Sequence, residues 1–320
     1  MGMRTGRISV HRALAVAKLL SKDCPAISEE SGGTVHLLRR EWRSACRILI
    51  TLLVCSSIPF AQIKSTQPAD FSTGLVAVND PAELSAALAK AFYEKGDFDA
   101  AIREADAAIK LDPKMASAYY FRGASNQGKA EYYKALVDYN RALHFDPKYT
   151  NALGGRADIY YFTHQNRLAI EDYTAFIAAM PISPVAYARR ATCHYALGEH
   201  RQTVMDYEKA IALDPNLLEA INGLAWVLAT SPVDGIRNGL MAVGYGEKAL
   251  SLAGQNEKFL YMDTLATAYA EAGRFTDAVS MQTKAISLIP ENYDAKESAQ
   301  FKARLQSYKE HKPWREQPRR

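Results

Sequence analysis

Cysteine is scarce in this chain, which has only four in 320 residues. Three of them, Cys24, Cys46 and Cys55, precede residue 62, so Cys193 is the single thiol in the rest of the sequence. One thiol cannot form an internal disulfide, and it supplies too few ligands for a cysteine-based zinc site. Residues 62–320 are therefore not a disulfide framework or a zinc-finger module, and no metal is expected.

A strong charge of either sign is missing as well. The formal net charge is +4, but residues 1–61 hold nine basic and four acidic residues. Subtracting these from the totals of 39 and 35 leaves 30 basic and 31 acidic residues in residues 62–320. This balance lacks the basic footprint of a nucleic-acid-binding protein, so no nucleic-acid partner is predicted. The basic residues around Trp314 are typical of a solvated tail.

Motifs for catalysis and cofactor binding are also missing. The glycine pair in GGRAD, residues 154–158, falls inside a predicted helix and is not a phosphate-binding loop, and no histidine pair has a third ligand to support it. Neighbouring carboxylates such as Glu171 and Asp172 point in different directions on a helix. The sequence therefore predicts neither a cofactor nor an enzyme.

No apolar run is long enough to cross a bilayer, which takes about 20 residues. Residues 48–58 (ILITLLVCSSI) form a shorter run behind four arginines. These are Arg39, Arg40, Arg43 and Arg47. A short apolar run between basic residues and a small residue, here Ala61, is the pattern of a secretory signal. It predicts cleavage near Ala61, a periplasmic or secreted protein, and transient membrane contact through this leader only. Cys55 leaves a membrane-anchored or lipoprotein form as the alternative.

The sequence does contain a repeat. Proline closes five similar phrases, at Pro113, Pro147, Pro181, Pro215 and Pro290, and the first four prolines stand 34 residues apart. Counted from the start of each phrase, position 8 always holds a small residue: Ala89, Gly123, Ala157, Ala191, Ala225 and Ala266. Position 20 is small too, and position 27 is alanine in most copies. Small positions opposite large ones let two helices approach closely, and proline stops the second helix.

Each phrase therefore predicts an antiparallel helix pair, with turns near Gly96, Gly198 and Gly273 in three copies. The period, the small positions and the proline resemble the tetratricopeptide repeat family over residues 82–290. The resemblance implies an all-α, right-handed superhelical solenoid of about six helix pairs. Phe176 departs from the family pattern at position 27, and His194 and His200 replace aromatic residues, so less regular packing is expected there.

This interpretation divides the chain into four parts. They are a leader (1–61), a linker (62–79), the repeat array (80–290), and a capping helix with a basic tail (291–320). The repeats are 82–115, 116–149, 150–183, 184–217, 218–258 and 259–290. The fifth contains an insertion at residues 231–239 (SPVDGIRNG), which either contacts a partner or is an inherited irregularity.

A capping helix is expected because a helical stack leaves its last apolar face uncovered. Residues 293–309 fit this role. Their predicted apolar face consists of Tyr293, Ala295, Ala299, Phe301, Leu305 and Tyr308. Their predicted charged face consists of Lys296, Glu297, Lys302, Arg304 and Lys309.

The resemblance also implies a binding surface, because first-helix positions 2, 5, 9, 12 and 13 of this family face a concave groove that holds partner segments. Aromatic candidates here are Tyr93, Tyr120, Tyr161, Phe162 and Tyr195. Polar candidates are Lys90, Glu94, Gln127, Asn151, Asp158, Asn222 and Asp263. Tyrosine suits interfaces because it buries a large ring and keeps a hydroxyl for hydrogen bonding. Packing of these rings against the next repeat is the alternative.

These features predict a non-catalytic scaffold that binds a protein or peptide in the groove, in the cell envelope. The family's clamp for a C-terminal carboxylate is not expected, because only Lys90 fits it. An envelope assembly factor, an accessory domain of an enzyme and a cryptic enzyme stay open as alternatives. Cys193 beside His194 would suit nucleophilic catalysis, but both fall on a repeat helix, which favours core packing.

Overall fold

The computed structural model describes residues 80–317, which form thirteen α-helices, one short 3-10 helix and no strand. The predicted leader and linker, with the signal-like run at 48–58, lie outside the described residues. The helices are α1 (Pro81–Glu94), α2 (Phe98–Leu111), α3 (Ala116–Gly128), α4 (Tyr132–Phe145), α5 (Thr150–Phe162), α6 (Asn166–Ala179), α7 (Pro184–Ala196), α8 (His200–Leu213), α9 (Leu218–Thr230), α10 (Gly239–Leu252), α11 (Lys258–Glu271), α12 (Phe275–Ser287) and α13 (Ala295–Lys309).

The first twelve helices form six pairs. Each odd-numbered helix packs on the helix that follows it, and each pair packs on the next pair along the chain. The odd-numbered first helices also contact one another, so they form a continuous inner row. Helix α13 closes the stack against α11 and α12. The predicted all-α solenoid of about six pairs with a C-terminal helix is confirmed.

Close contact between helices explains the small positions of the repeat. The alanines at positions 8 and 20 are almost completely buried. At Gly123, a Cβ would lie 3.1 Å from the side chain of Tyr139 on the paired helix. Phe176, the one large residue at position 27, is accommodated by Gly154, where a Cβ would lie 2.9 Å from the phenylalanine ring. The space for the Phe176 ring is therefore provided by a glycine in the same repeat.

In five of the six pairs, the turn between the two helices depends on one residue in the left-handed region of backbone space. Gly96, Gly198 and Gly273 have φ values of 76°, 79° and 77°, which confirms the predicted turns. The second and third repeats place Ala130 and His164 there, with φ values of 60° and 58°. Residues with a side chain are disfavoured in this conformation. The turn geometry is thus kept in these two repeats although the glycine is absent.

Three arginines, Arg122, Arg156 and Arg190, form a series of contacts that we call the arginine ladder. Each sits at position 7 of its repeat and pairs with a buried aspartate on its own second helix, with N–O distances of 2.6–2.7 Å. These aspartates are Asp138, Asp172 and Asp206. Each Nη1 also donates to the preceding second helix, at Asp106, Asn140 and Thr174. Forked guanidinium contacts of this kind hold successive pairs in register.

The insertion at residues 231–239 folds back onto its neighbours. Arg237 Nη1 donates to the carbonyl of Ser231 at 2.6 Å, and its Nε lies 3.2 Å from Glu271 on α11. Gly239, the first residue of α10, has no room for a side chain, because a Cβ would lie 2.5 Å from the backbone nitrogen of Ala272. The insertion therefore takes part in the contact between α10 and α11.

Helix α13 buries Phe301, Arg304 and Tyr308. The Tyr308 and Thr267 hydroxyls lie 2.8 Å apart, and Arg304 Nε donates to Asp263 Oδ1 at 2.9 Å. Two details of the predicted helix faces were wrong. Ala295 and Ala299 are exposed, and Arg304 lies inside the contact with only 4% of its surface exposed, because Asp263 provides a buried counter-charge.

Candidate peptide-binding groove

The first helices α1, α3, α5 and α7 share an open groove of about 820 Å³. Its walls combine residues of these helices with rings that reach between them from the second helices, such as Tyr139 and Tyr173. Because the odd-numbered helices form the inner row of the solenoid, the groove follows four successive repeats. Its shape suits an elongated ligand.

The predicted site residues divide between the groove and other places. Those that line it are Tyr93, Glu94, Tyr120, Gln127, Asn151, Asp158 and Phe162. Those that do not are Lys90, Tyr161, Tyr195, Asn222 and Asp263. Arg189, at position 6 of its repeat, also lines the groove, although the sequence did not predict it as a site residue. Nothing in the repeat pattern signals Arg189; only its spatial proximity to Asp158 does.

The aromatic residues of the groove differ in how much they pack. Phe162 is 54% exposed, so its ring is free to meet a ligand. Tyr120 packs against Phe121 and Tyr149, with ring centres 5.0 and 5.4 Å apart, and burial raises the pKa of its phenol to about 12. Tyr93 has ring neighbours as well. The groove rings therefore share structural and surface roles, and Phe162 is mainly a surface residue.

A fixed charge pair lies in the middle of the groove. Arg189 Nη1 is 2.5 Å from Asp158 Oδ1, and Tyr173 donates its hydroxyl hydrogen to the same oxygen at 2.6 Å. The guanidinium also lies over the Phe162 ring, 5.5 Å from its centre. Burial lowers the pKa of Arg189, but the hydrogen bond and charge of Asp158 outweigh this and raise it overall. The Asp158–Arg189 pair is thus held in one orientation by the contacts with Tyr173 and Phe162.

Two glycines make room for aromatic rings of the second helices. A Cβ at Gly155 would lie 2.6 Å from Tyr139 Cζ, so only glycine leaves space for that ring to pass toward the groove. The Tyr139 hydroxyl then donates to Gln127 Oε1 at 2.6 Å. Gly154 makes room for Phe176 in the same way. The GGRAD segment therefore serves packing and fixes the polar side chains of the groove.

Tyr161 links two first helices of the inner row. Its hydroxyl donates to Glu219 Oε1 at 3.3 Å, which joins α5 to α9 across the intervening repeat. Burial raises the pKa of Glu219, while the charge of Arg189 and the Tyr161 hydrogen bond oppose the rise. Tyr161 therefore acts as an internal tie, and its hydroxyl is already used.

Tyr195 is covered by the C-terminal segment of the chain. The Tyr195 hydroxyl and the Trp226 indole both contact the Glu316 carboxylate. The expectation of a solvated tail is wrong for Trp314, whose ring packs against the main hydrophobic cluster of the C-terminal repeats, whereas Lys312 and Arg315 are exposed as expected. Lys90 is exposed beside Glu94, and Asn222 is half-buried on α9. Asp263 faces α13 and does not reach the groove.

Cys193 has the properties of a core residue. It is completely buried, and burial raises the pKa of its thiol to about 12. The thiolate is the reactive form of cysteine, so this thiol is unreactive near neutral pH. His194 Nδ1 lies 2.5 Å from Glu199 Oε2, on the residue that precedes α8. Residues 80–317 contain no group of three or more metal-ligating side chains, and no described helix is long and apolar enough to cross a membrane.

Comparison with known proteins agrees with the fold. Residues 89–129 match a family model described as TPR repeat, and residues 184–217 match one described as tetratricopeptide repeat. The chain therefore contains tetratricopeptide repeats, and its solenoid is of the kind these repeats build. Proteins with this fold generally mediate protein–protein interactions. No curated protein sequence matches the chain.

Three solved structures illustrate the similarity. PilF from Pseudomonas aeruginosa aligns with a TM-score of 0.56 at 17% identity, over 70% of this chain and 98% of PilF. YrrB, described as a TPR protein with an unusual peptide-binding site, aligns with a TM-score of 0.52 at 18% identity, over 62% and 97% of the two chains. A tetratricopeptide repeat protein from Parabacteroides merdae gives 0.52 and 18%, over 72% and 89%. These identities support the fold alone.

Proposed function

We propose that this protein is a non-catalytic scaffold that binds an extended segment of a partner protein in the groove of its first four repeats. The observation that carries the proposal is the groove itself. It holds about 820 Å³, follows four first helices, and presents the exposed Phe162 ring beside the fixed Asp158–Arg189 pair. The peptide-binding site named for YrrB, which shares the fold, is consistent with this use.

The chemistry of the groove suggests how a segment is held. Phe162 and the edges of Tyr93 and Tyr120 offer apolar contact, which favours an aromatic or aliphatic side chain on the ligand. Asn151 is exposed on the same wall and can pair with the ligand backbone. Because Asp158 and Gln127 are already held by tyrosine hydroxyls, little side-chain freedom is lost on binding, which favours affinity.

Replacing Phe162 with alanine should weaken peptide binding without unfolding the protein. An exposed ring at the centre of a binding surface typically contributes about 2 kcal/mol or more, which is a loss of roughly 30-fold in affinity. Peptides selected from a random phage-displayed library on the wild-type chain provide the ligands. Their dissociation constants for the wild-type chain and for Phe162→Ala are then compared by fluorescence anisotropy.

Tyr133→Ala is the matched control. Tyr133 is 80% exposed on second helix α4 and does not line this groove. It should leave both the melting temperature and peptide affinity unchanged. If every selected peptide binds Phe162→Ala as tightly as the wild type, or is weakened only by Tyr133→Ala, the groove is not the binding site.

We also propose that the scaffold works in the cell envelope, as part of an assembly process or as a periplasmic adaptor. The support is the sequence alone: the apolar run at residues 48–58 behind its four arginines. Protein purified from the native host should then begin near Gln62 and should be found in the periplasmic or secreted fraction. N-terminal sequencing decides this, and an intact chain from Met1 in the cytosolic fraction would contradict the proposal.

A further inference from the structure

The C-terminal segment, residues 313–317, is bound to the repeats in the manner of a peptide ligand. Trp226 Nε1 donates to Glu316 Oε1 at 3.1 Å and lies 2.7 Å from the Tyr195 hydroxyl, which contacts the same carboxylate oxygen. The backbone N–H of Glu316 donates to the carbonyl of Thr230 at 3.0 Å. The main chain and the side chain of one residue are therefore recognised together.

The carbonyl that accepts this bond belongs to the last residue of α9. The last four carbonyls of a helix have no partner within the helix, so they are available to an incoming chain. The two side-chain donors come from successive first helices, Tyr195 on α7 and Trp226 on α9. Main-chain and side-chain recognition of Glu316 thus come from the inner row of the solenoid, where a partner segment would also lie.

The residues before Glu316 meet complementary partners. Trp314 packs against the hydrophobic cluster, with Arg304 Cζ 5.8 Å from its ring centre. Arg315 lies 3.4 Å from the carboxylate of Glu271, and about half of the arginine side chain is exposed. The aromatic Trp314 thus meets an apolar surface, the basic Arg315 meets an acidic residue, and the acidic Glu316 meets hydrogen-bond donors. This sequence of contacts defines a recognition pattern.

We propose that Tyr195, Trp226, Thr230 and Glu271 form a second binding site, specific for an extended segment that carries an aromatic, a basic and a glutamate residue in succession. Residues 314–316 are its resident ligand, and a partner segment of the same chemistry displaces them. The inference does not depend on the groove of the first four repeats, since none of these four residues lines it. A tether this short gives the resident segment an effective concentration on the order of mM, which a partner must overcome.

A synthetic peptide with the sequence of residues 311–320 tests the proposal. It should bind a chain that ends at Glu310, which keeps helix α13 and lacks the resident segment. Its affinity for the full-length chain should be lower by roughly tenfold or more, because the tethered copy competes. Fluorescence anisotropy of the labelled peptide measures both values.

Two matched changes establish the site. The peptide with Glu316→Gln keeps its shape but loses the charge that strengthens the indole and phenol hydrogen bonds, so it should bind the shortened chain roughly tenfold more weakly. Trp226→Phe in the shortened chain keeps a ring but removes the N–H donor, and it should weaken the unmodified peptide to a similar extent.

Several outcomes would overturn the proposal. One is that the shortened chain melts as a folded protein but does not bind the peptide. Another is that it binds the unmodified and the Glu316→Gln peptides equally well. A third is that Trp226→Phe in the shortened chain leaves the affinity for the unmodified peptide unchanged. If the shortened chain does not fold, full-length Glu316→Gln replaces it and should bind the peptide more tightly than the wild type does. A full-length dimer that the peptide dissociates would show that the segment occupies a second copy, against the assignment made here.

Discussion

Replacing Arg304 with methionine is expected to lower the free energy of unfolding by about 3–5 kcal/mol, the usual cost of removing one partner of a buried ion pair. Arg304 and Asp263 have side chains that are only 5% and 7% exposed, and the guanidinium lies 2.9 Å from Asp263 Oδ1. Without Arg304 the carboxylate keeps a single donor, Gln282 Nε2, at 2.6 Å. Methionine fills much of the space, so the loss reports the uncompensated charge. Urea unfolding followed by circular dichroism measures it.

Lys302→Met is the matched control, because Lys302 is exposed on the same helix and its replacement should change the stability by no more than about 0.5 kcal/mol.

The pH dependence of the stability gives a second check. Burial raises the pKa of Asp263, and Arg304 and Gln282 oppose the rise, so removing Arg304 should raise it further. A raised carboxyl pKa makes the folded state bind the proton more tightly than the unfolded state does. The loss of stability caused by Arg304→Met should therefore be smaller near pH 4 than at pH 7. A deficit under about 1 kcal/mol, or one independent of pH, would mean that Asp263 is not an uncompensated buried charge.

Ending the chain after Pro290 should cost several kcal/mol, because it removes α13 and uncovers the last apolar face of the array. Phe301 and Tyr308 are buried in this contact, with 3% and 0% of their surfaces exposed, and Phe301 packs with Phe259 and Tyr293. Burying one large apolar side chain contributes about 1.5–3 kcal/mol. The shortened protein should melt at a lower temperature and should associate, as light scattering would show.

The chain that ends at Glu310 is the control for this truncation. It keeps α13 and loses only the terminal segment, so its melting temperature should stay much closer to that of the full chain. Unchanged melting and a monodisperse monomer after truncation at Pro290 would show that α13 is a free appendage, not a cap.

The fold could be predicted from the sequence because the residues that determine it recur at the same positions of each repeat. Helix pairing requires small residues at fixed positions, and Ala157, Ala191 and Ala225 occur at the same place in three successive repeats. The arginine ladder was missed although its signal was present. Arg122 and Asp138 recur at the same two positions in the third and fourth repeats, and aligning charged positions as well as small ones would have revealed them.

The candidate site was less predictable because its contacts do not repeat. Tyr195 occupies a groove position, but residues far along the chain cover it, and no local pattern indicates that Glu316 returns to it. Tyr161 is used across an intervening repeat by Glu219, which depends on the curvature of the solenoid. Asp263 lies in the last repeat, so its neighbour is helix α13, whereas the same position in earlier repeats is followed by a further repeat. Whether the groove residues bind a ligand stays a prediction.

The arginine ladder has a consequence for how such an array grows. Arg122, Arg156 and Arg190 each bond to residues 16 positions before and 16 positions after themselves. Duplication or loss of a whole repeat between equivalent points leaves every one of these contacts possible, whereas an insertion between an arginine and its aspartate separates them. The insertion at residues 231–239 lies one repeat beyond the last ladder contact. Duplication of a whole repeat would therefore keep the ladder intact, and the insertion at residues 231–239 lies where it breaks none of these contacts.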